Sequence, residues 1–388
     1  MTVAPDPVMV TRADRAARAV FDELEPDVRR YSRTFPVVFN RARGAELCTE
    51  HGRRFVDMVA GAGALNYGHN NIYIKRRVLE YINADGIVNG LDLYTVAKRE
   101  FLKTFNDIVL RPRGLDFKVQ VCGLTAADAV EAALSLARKA TGRRGVIAFP
   151  GDMAYPQGPS TAVIEHLVDR DIPAAILVEP VDVAGGVHEA PAEWLAGVRM
   201  LADRFGILLI FDETRTGSGR TGPFFGFEHS GVRPDIVILA DSVGGYGMPL
   251  SLLLFRRDLA VWQDGEHAGA LRGNQLAFVA ATAACELWDD PKFRTDLVVA
   301  SRRAERFRSE LDGRGVPVRG RGMLIGIDLG HPDRAEWLQR YAFDRDVLVD
   351  RCGGVVLATP PLCIDVARID RGLSVLRDGL EFVDVEGA

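Results

Sequence analysis

Lysine is scarce in this 388-residue chain: there are six, Lys75, Lys98, Lys103, Lys118, Lys139 and Lys292, against 42 arginines. None lies between positions 140 and 291, so the middle of the sequence carries no primary side-chain amine. Cysteine is also sparse. Cys48, Cys122, Cys285, Cys352 and Cys363 are odd in number and irregular in spacing, which argues against a disulfide framework or a thiolate metal site. The seven histidines, His51, His69, His166, His188, His229, His267 and His331, form no H-E-x-x-H pair, so no metal is expected. No apolar run reaches the ~18 residues of a membrane span. The opening "MTVAPDPVMVTRADRAARAVFDELEPDVRR" is too acidic and too weakly apolar for a signal peptide, and a cytoplasmic location is expected. The net charge of −5 gives no support for nucleic-acid binding, and the arginines, mixed with acids throughout, read as a compositional bias.

What is present is an ordinary globular composition, 47% hydrophobic and 26% charged with a mean hydropathy of +0.02. Short β-branched runs alternate with amphipathic helices, the pattern of a mostly parallel sheet covered on both faces, hence an α/β fold. "DFKVQVCG", "GVIAFP", "AAILVEPV", "ILLIFDE", "DIVILAD" and "LSLLLFRRD" read as strands, and "TAADAVEAALSLARKATGR" as a strong helix. After Lys292 the texture changes. Three regions are expected: residues 1–60 contributing to a small lobe, 61–290 forming a large α/β domain shortened around 150–160, and 291–388 a small α+β domain. The active site is expected at the C-terminal ends of the parallel strands.

Long segments in order, among them "DMVAGAGALNYGHNN", "DGIVNGLDLYTVAKREFL", "AVEAALSLARKATGR", "LLIFDETRTGSGRTGPFFGFEHSGVRPDIV" and "GEHAGALRGNQLAFVA", resemble the class III aminotransferases. These are fold type I pyridoxal-phosphate enzymes, a three-layer sandwich with a smaller α+β lobe. Within them the diaminobutyrate–2-oxoglutarate transaminases are most similar. The resemblance implies a dimer and a soluble small-molecule substrate. It also implies roles: Asp212 for the pyridine nitrogen, the start of "TAADAVEAA" for the phosphate, and position 241 for the lysine that carries the cofactor.

Several of those places are altered. Position 241 is aspartate, which cannot form an imine. Ala126 and Ala127 stand where the family has a glycine and a hydroxyl residue for the phosphate, Asp128 replaces asparagine, and Ala270 replaces the partner-subunit threonine. Arg215 replaces a glutamine beside the ring. The family's "QGEGG" is "DVAGG" here, with Ala184 for the gating glutamate. The ring-stacking segment is shortened to "GDMAYPQGP", leaving Tyr155 as the aromatic candidate.

The expectation is therefore an enzyme without pyridoxal phosphate and with no cofactor. Asp241, Asp212, Glu213 and His69 would supply acid/base chemistry, such as dehydration, cyclisation, isomerisation or condensation, on a small amino-acid-derived metabolite. Arg215, Arg272, Asn274, Tyr67 and Tyr155 would bind the substrate. Asp212 and His69 have structural readings too, as an ion-pair member and a loop hydrogen-bonder, and Asp241 can cap a turn. Two alternatives stand beside this. One is a catalytically inactive homologue paired with an active paralogue. The other is a lysine-free protein that takes pyridoxamine phosphate or pyridoxal phosphate without a covalent bond, or a residual diaminobutyrate transaminase.

Overall fold

The computed structural model describes residues 11–26, 34–149, 161–267 and 269–386. Three short strands come first: β1 (Phe39–Arg43), β2 (Glu46–Thr49) and β3 (Arg54–Asp57). They are followed by β4 (Phe117–Gly123), β5 (Val146–Ala148), β6 (Ala175–Val178), a two-strand hairpin β7 (Val181–Asp182) and β8 (His188–Glu189), then β9 (Leu208–Asp212), β10 (Ile236–Ala240) and β11 (Ser251–Arg256). The C-terminal part adds β12 (Val318–Arg319), β13 (Ile325–Asp328), β14 (Val347–Leu348), β15 (Asp350–Cys352) and β16 (Val355–Ala358).

Six of these strands build the central sheet in the order β4-β11-β10-β9-β6-β5. Pairing is parallel from β10 through β9 and β6 to β5, while β11 runs against both of its neighbours. Every residue of β10, and all of β9 before Asp212, is buried. Such continuous apolar runs are what a sheet covered on both faces requires. One face is covered by the helix Ala126–Thr141, which buries Ala129, Ala132, Ala133, Leu136 and Ala137. Its small side chains let it lie close to the strands. On the other face Phe211, Phe224, Phe225 and Phe227 join one apolar cluster, with Phe225 and Phe227 stacked at 5.0 Å. A buried phenylalanine contributes roughly 1.5–3 kcal/mol.

The C-terminal sheet, β12-β13-β16-β15, packs with the helices Pro291–Gly313, Pro332–Asp344 and Val366–Glu386 around Phe307, Leu338, Ile325 and Leu376. Strand β14 pairs with β3 in parallel, so the start and the end of the chain share a sheet. Arg220 pins the two parts together. It is 1% exposed, and its guanidinium donates to the carbonyls of Met323 (3.1 Å) and Pro360 (2.5 Å) and to Asn66 Oδ1. No described helix is long and apolar enough to cross a membrane.

Candidate active site

In the central sheet β6, β9 and β10 are neighbours that point the same way, so their C-terminal ends open onto one place. Glu179 follows β6, Asp212 ends β9, and Asp241 follows β10. A cleft of ≈ 270 Å³ lies there, bounded by these three carboxylates, by Thr214 and Arg215 of the turn after β9, by Gly61 and Ala62, and by Ala126 at a helix start. Asp241 has φ +56°, a left-handed conformation that disfavours a side chain, and Ala62 shares it at φ +56°.

Three acids face one guanidinium. Burial raises the Glu179 carboxyl to about 7, and the nearby charges of Asp212 and Asp182 add to this against Arg215. Burial also raises Asp212, opposed by hydrogen bonding from Thr214, whose N–H reaches Oδ1 at 2.9 Å, and by Arg215. Asp241 is raised by burial; Arg215 pulls it down and Asp212 pushes it up. The cleft thus favours a proton on Glu179 near neutral pH, and burial shifts Asp212 and Asp241 in the same direction.

At the helix start beside it, the protein's own carboxylate sits on backbone donors. Asp128 Oδ2 accepts from the N–H of Leu124 (3.0 Å), the N–H of Thr125 (2.8 Å) and the Thr125 hydroxyl (2.8 Å). Those contacts hold its carboxyl below the usual range. Gly123 is required by this closeness, since a Cβ there would meet the Asp128 carboxylate at 2.6 Å.

Asp241, Asp212 and Arg215 line one cleft, and the other candidates for acid/base chemistry and substrate binding lie elsewhere. Glu213 turns to the opposite side, fully buried, accepting from the N–H groups of Gly226 (2.9 Å) and Phe227 (2.7 Å) and from the Thr216 hydroxyl; burial lifts it to about 7. His69 places Nε2 3.0 Å from Asp57 Oδ2, and Asp57 Oδ1 in turn accepts from the N–H groups of Val59 and Ala60. Tyr67 is buried and its hydroxyl accepts from Trp288 Nε1 at 3.0 Å, which raises no polar group into the cleft. Arg272 donates from Nε to the carbonyl of Cys122 at 2.6 Å, and Asn274 caps the helix Gln275–Leu287 through Ala277 N–H. Ala126 borders the cleft, Ala127 follows it in the helix, and Ala270 opens a single turn, Ala270–Gly273. Tyr155 lies outside the described residues. Glu179 is a cleft residue that is not among the candidates drawn from the sequence. Its signal was its place at the end of "ILVE", the strand next to that of Asp212.

Among the described residues lining the cleft there is no lysine. Lys139 is paired with Glu266 and Lys292 with Asp296. Among the described residues, no group of three or more histidine, cysteine, aspartate or glutamate side chains could hold a metal ion.

A mostly parallel sheet with a cleft at its strand ends, and an aspartate on the strand bearing "FDE", define a class that comparison identifies: the chain belongs to the class III aminotransferases, whose family model matches residues 159–380. It is 41% identical over 410 residues to a diaminobutyrate–2-oxoglutarate transaminase of Nocardia farcinica, covering 94% of each chain. An uncharacterized aminotransferase y4qG of Sinorhizobium fredii is 42% identical over 405 residues, covering 92% of this chain and 90% of that one. Among solved structures, acetylornithine aminotransferase from Elizabethkingia anophelis superposes with a TM-score of 0.83 at 25% identity, over 95% of this chain and 99% of the other. Ornithine aminotransferase from Toxoplasma gondii gives 0.83 at 23% identity over 97% of each, a likeness of fold.

Two expectations are corrected by this membership. Cofactor-independent acid/base chemistry gives way, because the relatives matched over nearly their whole length are named transaminases. The expectation of no cofactor gives way as well, because the family is a pyridoxal-phosphate family. Both rested on counting altered residues one at a time, which weighs single positions above the retained whole.

Proposed function

We propose that this chain is a diaminobutyrate transaminase-like protein that takes a pyridoxal-phosphate vitamer, in its amine form, into the cleft by contacts alone. The observation that carries this is Asp212: a carboxylate at the end of β9 that lines the cleft is a partner for a protonated ring nitrogen. The pyridine end of the group therefore fits the residues present. Covalent attachment does not fit, since Asp241 occupies the position of the family's lysine and the described residues of the cleft lining offer no amine. When bound, the vitamer supplies an electron sink for bonds at an amino carbon. Asp212 would hold the ring nitrogen's charge, Arg215 would receive an anionic substrate group, and Asp241 and Glu179 would hold or release protons at their carboxyl oxygens.

Calorimetric titration should show saturable binding of pyridoxamine phosphate, weakened about 10- to 100-fold by Asp212→Asn, as expected for a lost charge-assisted bond. Pyridoxal phosphate followed by borohydride should add no mass to the chain. A reduced adduct on any lysine, or no saturable binding at all, defeats this reading.

A second reading concerns assembly. The segment around positions 87–96 exposes Val88, Leu93, Tyr94 and Val96, at 68%, 61%, 105% and 66%, and it lies against 273–275 through Gly90 N–H to Gly273 O and Gln275 N–H to Val88 O. So concentrated an apolar surface favours a second chain, either another copy or an active paralogue. Light scattering of the purified chain should give twice the mass of one chain, and Leu93→Glu with Tyr94→Asp should halve it.

A further inference from the structure

We propose that Asp57 and His69 form a positioning pair, which holds the strained wall of the cleft, Ala60–Gly63, in the shape a ligand meets. The pair deepens the vitamer reading of the cleft, and its binding test rests on that reading. Asp57 and His69 are not among the described residues that border the cleft; Gly61 and Ala62 of the wall are.

The wall's backbone departs from what two of its residues prefer. Ala60, Gly61, Ala62 and Gly63 follow one another at φ +46°, +59°, +56° and +91°. Glycine adopts such angles freely, whereas in alanine the Cβ crowds the carbonyl oxygen that follows. Strain of this kind persists only where the surroundings over-determine it, and it gathers at sites that must keep their shape. At its far end the wall is closed by its own backbone, with Leu65 N–H donating to Ala60 O at 2.9 Å and Gly63 N–H to the same oxygen at 3.1 Å. At its near end it depends on a side chain. Asp57, buried at the end of β3, accepts on Oδ1 from the N–H groups of Val59 (2.8 Å) and Ala60 (2.9 Å), where the chain turns left-handed. Thr359 secures the adjoining carbonyls, donating from its N–H to Met58 O and from its hydroxyl to Val59 O.

His69 decides which way the carboxylate faces. Its Nε2 lies 3.0 Å from Asp57 Oδ2, and its backbone is pinned to Gly44 by two bonds, its N–H donating at 2.9 Å and its carbonyl accepting at 2.7 Å. With Oδ2 engaged by a ring anchored in this way, Oδ1 stays on Val59 and Ala60. The wall also reaches the loop of Asp241. A Cβ built on Gly61 or on Gly247 would meet the Leu65 side chain at 3.3 or 3.0 Å, and Tyr246 donates its hydroxyl to Asn70 Oδ1 at 2.6 Å. Releasing His69 therefore loosens both loops that carry the cleft residues Ala62 and Asp241. A different role for Asp57 is to balance the buried charge of Arg220, which it favours without bonding to it. Asparagine tells the two roles apart, since it keeps the acceptor and loses the charge.

The test is hydrogen exchange of the full chain across the amides of 59–65, together with calorimetric titration with pyridoxamine phosphate. His69→Ala, at a partly exposed position, should speed exchange in that stretch and weaken the vitamer, each about 3- to 10-fold, as the loss of one hydrogen bond predicts. Exchange in β13, in the C-terminal sheet, should not change. His69→Gln, whose amide can donate to Oδ2, and Asp57→Asn, whose amide can donate to Nε2, should keep both measurements near the wild type. The pairing is overturned if His69→Ala leaves the exchange of 59–65 unchanged, or if Asp57→Asn is as damaging as Asp57→Leu, which would assign the carboxylate to Arg220. It is also overturned if the wall loosens while the vitamer binds as tightly as before. Failure of the wild type to bind pyridoxamine phosphate defeats the vitamer reading instead, and exchange alone then decides the pair.

Discussion

Glu179 is the residue on which the electrostatics of the cleft turn. Its carboxyl is raised from 4.5 to about 7 by burial and by Asp212 and Asp182. In the unfolded chain it ionises near its ordinary value, whereas in the fold it keeps its proton to about 7. The folded state therefore binds more protons in that window, and stability falls as pH rises through it and levels off above. Glu179→Gln removes the term. Thermal unfolding should show the variant gaining on the wild type between about pH 5 and about pH 8, by on the order of 1–3 kcal/mol at the upper end; a constant difference across that range would show that the carboxyl does not hold its proton. Asp212, Arg215 and Asp241 were legible because they sit in long motifs. Glu213 was misplaced for a reason visible in the strand itself: successive side chains alternate, so Asp212 in the cleft sends Glu213 to the other face. Glu179 needed the sheet order, and strand neighbours are not written in a single sequence.

Among the elements, the helix Ala126–Thr141 shows one carboxylate in two roles. Asp128 completes a capping box with Thr125, worth about 1 kcal/mol, and its charge suits the helix N-terminus. The same charge occupies the donors of Leu124 and Thr125 and repels any phosphate brought to Ala126. Asp128→Asn keeps an acceptor for the cap and removes the repulsion. It should bind pyridoxamine phosphate several-fold more tightly while lowering the unfolding midpoint only slightly, as calorimetry and thermal scans would report. The helix and the strands β9 and β10 could be read from periodicity and apolar runs. The hairpin β7–β8 could not, since two residues per strand carry no period, and its pairing of Val181 with Glu189 depends on the partner surface it meets.

For the whole molecule, that hairpin is where the central and C-terminal parts meet through histidines. His188 Nε2 lies 3.3 Å from Arg319 Nη1, and His229 Nδ1 3.2 Å from Arg321 Nη1, so each imidazole accepts from an arginine and must be neutral. Burial lowers both, and the arginines add to it; Asp182 and Asp328 oppose at His188, and Glu189 and Glu228 at His229. With folded values below the ordinary histidine range, the stabilisation is complete above about pH 6.5 and is lost as pH falls through that range. Measured by thermal unfolding against the double variant His188→Gln and His229→Gln, whose amide oxygens accept from arginine without titrating, the wild type should lose stability as pH falls from neutral toward about pH 5, and a difference that stays constant across that range would defeat the assignment. Such a junction joins residues 131 and 92 positions apart, and a lone histidine in a sequence does not announce its partner.

Arg220 sets the terms on which those parts can move. Its cation is seated out of water on carbonyls from beyond position 320 and on Asn66, with no carboxylate bonded to it among the described residues. Separating the parts there would strand a charge in an apolar seam, so that point serves as an axle. Any breathing of the molecule is left to the far rim, around the hairpin, where titratable contacts can let go one at a time.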